Sequence, residues 1–301
     1  MTILELIQSG AKQLTEAGVA FGHGTANAFD EAAWLVLWQL GLPLDSSLED
    51  PKIDPDSVAN RPVSSDLSTK VAALFVARIA TRKPAAYLTQ EAWLQGIPFY
   101  VDERAIVPRS FIAELLAGDS FGSFDDWLGP HTRRVLDLCT GNGSLAVLAA
   151  MTYPDTTVVG ADISVAALEV ARINVDKHGL QDRISLVESD GWTGLKGQVF
   201  DLILCNPPYV NSASMAALPA EYLAEPALAL AGGADGMDFI RDLLAKAPDH
   251  MSEHAVLVLE IGNERGFFEA AFPALEMVWL ETSAGIDQVL LLTRDALADG
   301  I

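Results

Sequence analysis

The sequence predicts an α/β domain, a mostly parallel sheet with helices on both faces, behind a small all-helical domain. Three observations predict it. Up to residue 84, apolar residues recur at helical spacing and no strand pattern interrupts them. From residue 133 onward, short apolar runs alternate with helical stretches, as in successive βα units. A glycine turn and a proline corner punctuate two of those runs.

In the helical part, Ile3, Leu6, Ile7, Leu14 and Ala17 define one helix. Asp30 is the expected N-cap of a second, with Ala33, Trp34, Leu37 and Trp38 on one face and Gly41 as its stop. Residues 51–65, rich in Pro, Ser and Asp, read as a loop. A third helix carries Leu67, Val71, Leu74, Phe75 and Arg78 and ends before Pro84. Residues 85–108, with Trp93, Leu94, Gly96, Ile97, Phe99, Val101 and Ile106, read as a β-hairpin linker. The expected strands are 133–138, 157–162, 183–188, 200–205 and 255–261, with 275–281 and 288–293 as an antiparallel edge. Helices are expected around 145–151 and from the cap Ser164 to about 178. The organisation is therefore 1–84 helical, 85–108 linker and 109–301 α/β.

Half of the 301 residues are hydrophobic and a fifth are charged, enough to build a sizeable core. The net charge is −22. Residues 1–84 hold 7 basic and 10 acidic side chains, whereas the remainder holds 12 and 31. A field that acidic repels phosphate backbones, so stable nucleic-acid binding is not expected. Two cysteines exclude a disulfide scaffold and a four-thiolate zinc site. The first ten residues lack a basic, apolar leader, and no long apolar run suggests a membrane span. A cytoplasmic protein is the expectation.

Two stretches carry chemistry. Val135 to Ala146 (VLDLCTGNGSLA) runs from strand through a glycine turn into a helix. Gly141 and Gly143 let backbone approach a ligand, and the helix start offers free N–H groups. Asp162 ends the next strand, about 20 residues on, where a carboxylate can accept both hydroxyls of a ribose. A nicotinamide dehydrogenase shares this pattern. Asp137, however, would face a pyrophosphate unfavourably and suits a cationic, amino-bearing ligand. S-adenosylmethionine, with a sulfonium, an amino group and no phosphate, has that character.

The second stretch is Phe200 to Tyr209 (FDLILCNPPY). Pro207 and Pro208 stiffen the strand exit and leave its carbonyls pointing outward. The Asn206 amide oxygen and the Pro207 carbonyl can accept both hydrogens of a substrate –NH2, and Tyr209 offers a flat face for a planar amide or base. Such an amine is a poor nucleophile because its lone pair is delocalised. Holding both hydrogens aims the nitrogen and stabilises the positive charge that grows on it.

With these motifs in hand, the chain resembles the class I S-adenosylmethionine-dependent methyltransferases, and among them the group that methylates the side-chain amide of glutamine in proteins. The similarity covers most of residues 70–294. It includes Arg82-Lys-Pro-Ala-Ala-Tyr-Leu, Val107-Pro-Arg-Ser, Asp137-Leu-Cys-Thr-Gly, Asn206-Pro-Pro-Tyr, the Glu225–Gly236 segment, Glu260-Ile-Gly and Gly285-Ile-Asp-Gln-Val. The resemblance implies a seven-stranded, Rossmann-like methyltransferase sheet behind a helical substrate-recognition domain. The release-factor branch usually has Ile-Pro-Arg-Pro and Leu-Gly-Thr-Gly. Val107-Pro-Arg-Ser110 and Leu138-Cys-Thr-Gly141 look instead like the branch acting on large-subunit ribosomal protein L three. Asn142-Gly143-Ser144-Leu145 departs from the more common Ser-Gly-Cys-Ile but keeps the glycine.

The implied cofactor is S-adenosyl-L-methionine, held by Asp137, Cys139, Thr140, Gly141, Gly143, Asp162, Ile163 and Asn206, with Asp190 and Trp192 flanking the adenine. The implied catalytic set is Asn206, Pro207, Pro208 and Tyr209. The implied partner is a basic ribosomal protein, or else a release factor. Residues 211–224 are expected to form a mobile loop, and Glu225–Gly236 to shape the substrate pocket. An adenine-specific DNA methyltransferase shares the Asn-Pro-Pro-Tyr logic but needs a basic groove. A non-enzymatic adaptor would leave both motifs idle. His250 and His254 have i, i+4 spacing but straddle a predicted helix end and lack the glutamate of H-E-x-x-H, so a metal role is not expected, and Trp34 and Trp38 read as core. Arg109 reads equally as a substrate guide, a domain link or a surface ion pair. Cys139 and Cys205, at neighbouring strand ends, read as reduced thiols near the cleft.

Overall fold

The computed structural model describes residues 1–50, 52–118 and 124–300. Pro51, which opens the expected 51–65 loop, lies outside them. The chain forms two compact units, Met1–Glu91 with Pro219–Ala224, and Ala92–Leu218 with Glu225–Ile301.

The first unit is helical. α1 (Ile3–Glu16) starts at Thr2, whose hydroxyl accepts the Glu5 N–H while the Glu5 carboxylate accepts the Thr2 N–H. α2 (Ala28–Leu40) is capped by Asn27 rather than by the expected Asp30. The Asn27 side chain accepts the Asp30 N–H at 3.0 Å, and Asp30 sits in the first turn, where a carboxylate favours the helix dipole. Gly41 closes α2 in the left-handed conformation. α3 (Ser65–Thr81) buries Val71, Phe75 and Arg78. Ala85–Thr89, expected within the hairpin, is instead a short helix, α4.

Arg78 is fully buried, an expensive place for a guanidinium. It is satisfied on three sides, donating to Glu31 at 2.8 Å, to the Ala20 carbonyl at 2.9 Å and to Glu221 at 3.5 Å. Arg82 adds a second donor to Glu221 at 3.2 Å. Burial pushes the Glu31 carboxyl up, and the Arg78 charge opposes that. Glu221 lies in the 219–224 segment, so this stretch is integral to the helical unit.

The second unit opens with the hairpin β1 (Ala92–Leu94) and β2 (Ile97–Phe99), then α5 (Ile112–Ala117). There follow β3 (Arg134–Leu138), α6 (Ser144–Thr152), β4 (Thr157–Asp162), α7 (Val165–Lys177), β5 (Ile184–Glu188) and β6 (Phe200–Cys205). Next come α8 (Ser212–Ala217), α9 (Ala220–Leu223, already placed in the helical unit), α10 (Asp238–Lys246) and β7 (Met251–Glu260). α11 (Arg265–Ala271), β8 (Val278–Thr282), β9 (Gly285–Thr293) and α12 (Arg294–Gly300) complete the chain. The seven strands run β5-β4-β3-β6-β7-β9-β8. β3 to β7 are parallel, and β9 is antiparallel to both β7 and β8.

Alternating side chains build a core on each face. Val135, Leu202, Leu204, Val256 and Val258 pack on α5 and α6. Leu136, Leu138, Ile203, Leu257 and Leu259 pack on α10, α11 and α12. Burying one such aliphatic side chain contributes about 1.5–3 kcal/mol. The two faces together therefore hold the strand ends where the chemistry must sit.

The chain leaves β3 toward β4 and later returns to β6 on the other side of β3. The strand order thus reverses between β3 and β6, the place where open α/β sheets bind ligands beyond the carboxyl ends of their strands. No helix among the described residues is long and apolar enough to cross a membrane.

Candidate active site

The β3–β6 register sets Leu138 opposite Cys205. The glycine turn after β3 and the proline corner after β6 therefore leave the sheet side by side.

At the first exit Asp137 is 1% exposed. Its Oδ2 accepts the Thr140 hydroxyl at 2.5 Å and the Ala146 N–H at 2.9 Å. Its Oδ1 is buried with no hydrogen-bond partner. Burial pushes this carboxyl up to about 7. Cys139 adopts φ +64°, a left-handed conformation that costs a non-glycine residue about 1–2 kcal/mol. The fold holds it there through the Thr140 N–H bond to the Ala161 carbonyl. Gly143 begins α6 at φ +81°, and a Cβ there would come within 3.0 Å of Ala171 on α7. Asp162 Oδ2 accepts the Gly141 N–H and Oδ1 the Ser164 N–H, each at 2.9 Å. The Asp162 carboxylate thus braces the turn and caps the approach to α7. Ile163 beside it is 46% exposed, unusual for an isoleucine at a strand end.

At the second exit the contrast is plain. No described residue hydrogen-bonds the half-buried Asn206 side-chain amide or the Pro207 carbonyl. Val210 pairs with Ala231, its N–H bonding the Leu230 carbonyl and its carbonyl accepting the Gly232 N–H, each at 2.9 Å. The Glu225–Gly236 segment thereby flanks the corner. Within 211–224, expected as a mobile loop, Ser212–Ala217 forms α8 and Ala220–Leu223 forms α9. Asn211 caps α8 through the Ser214 N–H, and its own amide donates to Glu264 at 2.8 Å.

Of the readings offered for Arg109, the structure shows an ion pair, one that is inward-facing rather than on the surface. Arg109 grips Glu225 with both guanidinium arms, at 2.7 and 2.6 Å, and the Glu225 side chain is fully buried. Glu225 also accepts the Val107 N–H at 2.9 Å. Asn174 makes a second tie that no sequence motif signalled. Its amide bonds both the N–H and carbonyl of Tyr100 and the Asn142 carbonyl, joining the linker to the glycine turn.

Other expected residues sit differently. Trp192 is core, 4% exposed, with its Nε1–H on the Leu243 carbonyl and its face stacked on His250 at 4.4 Å. Asp190 is exposed after β5. His250 bonds the Gln198 carbonyl, whereas His254 meets His131 edge-on. No metal-binding cluster occurs among the described residues. Cys139 and Cys205 are free thiols, and their mutual hydrogen bond with burial holds the Cys139 thiol well above its ordinary range.

The seven-stranded sheet, with its switch point between β3 and β6, has the fold of the class I methyltransferases, and that point sets an unpartnered buried carboxylate beside free acceptors. The methyltransferase small domain family model matches residues 124–259. The ribosomal protein uL3 glutamine methyltransferase of Bordetella pertussis is 52% identical over 302 residues, covering 98% of this chain and 96% of the relative. Those of Burkholderia pseudomallei and Neisseria gonorrhoeae are 48% and 46% identical, covering 98% of this chain and 95% of each relative. Among solved structures, the hMettl16 catalytic domain in complex with MAT2A 3'UTR hairpin 1 has a TM-score of 0.50 at 13% identity, covering 80% of this chain and 83% of that one, a likeness of fold alone. The chain belongs to the family of ribosomal protein uL3 glutamine methyltransferases.

Proposed function

We propose that this protein transfers a methyl group from S-adenosyl-L-methionine to the side-chain amide nitrogen of a glutamine in ribosomal protein uL3. The observation that carries this reading is the pairing of Leu138 with Cys205, which sets the glycine turn beside the free acceptors of Asn206 and Pro207.

The residues at the turn fit the cofactor. The unpartnered Asp137 Oδ1 suits an ammonium group, and a buried carboxylate facing a cation regains its charge at little cost. Asp162 would accept the ribose hydroxyls, and the exposed Ile163 would cover the adenine, with Asp190 near its rim. Bound there, the cofactor would supply an electrophilic methyl on a sulfonium.

The protein's own task is orientation. Asn206 Oδ1 and the Pro207 carbonyl accept the two amide hydrogens and fix the nitrogen's direction. As positive charge grows on nitrogen, these same acceptors hold it more tightly than in the ground state, which is where rate enhancement comes from. No base is required before attack, because the nitrogen becomes acidic only afterwards and then loses its proton. The strongly acidic second unit favours encounter with a basic ribosomal protein. The helical unit would select the substrate.

The test is incubation with labelled cofactor and purified uL3, a release factor or duplex DNA in parallel. Label on one uL3 glutamine is expected. Label on the release factor or DNA alone overturns the substrate assignment. Thermal-shift scans with S-adenosylhomocysteine and NAD check the cofactor, since a ligand of the native state raises its melting temperature.

A further inference from the structure

A second enclosed carboxylate stands beside the proline corner. Glu260 ends β7, the strand next to β6, and is 1% exposed. Its Oε2 accepts the Ser110 hydroxyl at 2.6 Å and the Phe111 N–H at 2.9 Å. Its Oε1 faces the Tyr209 hydroxyl at 3.4 Å. That contact is long, as active-site hydrogen bonds often are before substrate seats. Burial pushes the Tyr209 phenol up, so its O–H remains a donor.

The Tyr209 ring is also fixed by shape. A Cβ on Gly262 would lie 2.5 Å from Cε2 of the ring, and one on Gly236 would lie 2.2 Å from the Tyr209 carbonyl. Only bare backbone fits on these sides. The linker end is fastened by two buried acids, Val107 and Arg109 to Glu225, and Ser110 and Phe111 to Glu260. One of these acids turns its remaining oxygen toward a residue of the corner itself.

We propose that Glu260, anchored by Ser110 and backed by Gly262, is a positioning residue that sets the pose of Tyr209 against the substrate carboxamide. The proposal rests on the reading that Tyr209 lies on that amide. Glu260 itself does not touch the substrate. Its oxygens are taken up by the linker on one side and the phenol on the other, so its effect on the reaction passes through the ring. A misaimed ring loosens the amide's approach and lowers kcat, while the cofactor, bound at the other strand end, is untouched.

Glu260→Ala would leave three donors, the Ser110 and Tyr209 hydroxyls and the Phe111 N–H, without their acceptor and confound folding. Glu260→Gln keeps the shape and an acceptor, and is the variant to use with Tyr209→Phe and the double variant. Each single change is expected to lower kcat on uL3 by about tenfold, with unchanged cofactor affinity. The double variant should be no worse than the worse single, because both cut the same link. Ser110→Ala should give a smaller drop in the same direction. Effects that multiply, or wild-type kcat in Glu260→Gln, overturn the proposal.

A second readout needs no substrate. The Tyr209 ring resonances, assigned by their loss in Tyr209→Phe in protein carrying 13C-labelled tyrosine, should shift in Glu260→Gln. Unchanged resonances overturn the positioning role. A wild type inert toward uL3 overturns the substrate reading instead, and the ring shift still decides the role of Glu260.

Discussion

The exits of β3 and β6 are neighbours in one sheet, yet they solve opposite problems. The β3 exit is made of small residues, and its backbone N–H groups are braced by the carboxylates of Asp137 and Asp162. The β6 exit is made of prolines, which have no N–H, and it leaves acceptors free. One lip is thus suited to a cationic donor and the other to the hydrogens of an amide. Two functions that must meet at one point are divided between two strand ends, so each can be damaged alone.

The sharpest way to test that division is Asn206→Ala. Turnover should fall by about 10²–10³-fold, the usual cost of one lost transition-state partner, while the cofactor-induced rise in melting temperature stays the same. Equal loss of cofactor binding would break the comparison. Next in size is Asp137→Asn, an isosteric change that removes the charge facing the cofactor. A charged hydrogen bond is worth about 1.5–3 kcal/mol, so cofactor affinity should weaken by about 10–100-fold by calorimetry, with kcat recovered at saturation.

Asp137 also gives the comparison a pH axis. A carboxyl raised to about 7 in the fold holds its proton there when the unfolded chain has lost it. Its contribution to stability is full below the unfolded value near 4 and is lost as pH rises through about 7. Glu260, raised to about 7 by burial, acts the same way, whereas His178, lowered by burial, opposes them. The cofactor-free protein should therefore melt lower at about pH 8 than at about pH 5.5. The cofactor prefers the ionised Asp137, so its stabilising shift should grow over the same range. Asp137→Asn should flatten that growth. A smaller effect is expected for Gly143→Ala, whose Cβ would press on Ala171 at a positive φ. It should cost about 1–3 kcal/mol of stability by denaturant unfolding and lower cofactor affinity before it touches kcat.

The strands were legible because each is a short run rich in apolar residues, most of them bounded by glycine, proline or aspartate within a few residues, and the seven-stranded sheet stands where those runs fall. The two exits were legible for the same reason, since backbone chemistry at a turn demands particular residues. The misses have a common physical form. Asp30 and Asn27 are both good caps three residues apart, and only backbone geometry chooses between them. The core setting of the Trp192 ring, hydrogen-bonded to Leu243 and stacked on His250, likewise could not be read from its place after a strand end. The roles of Asn174, Glu225 and Glu260 depend on partners more than 30 positions away, which no local pattern encodes.

The buried guanidinium of Arg78 carries one last consequence. A fragment ending at residue 91 would contain all four N-terminal helices and still be chemically incomplete, because one of the anions that neutralise its interior arrives from position 221. The helical unit is not a detachable module. Its own electroneutrality is finished by sequence synthesised long after it.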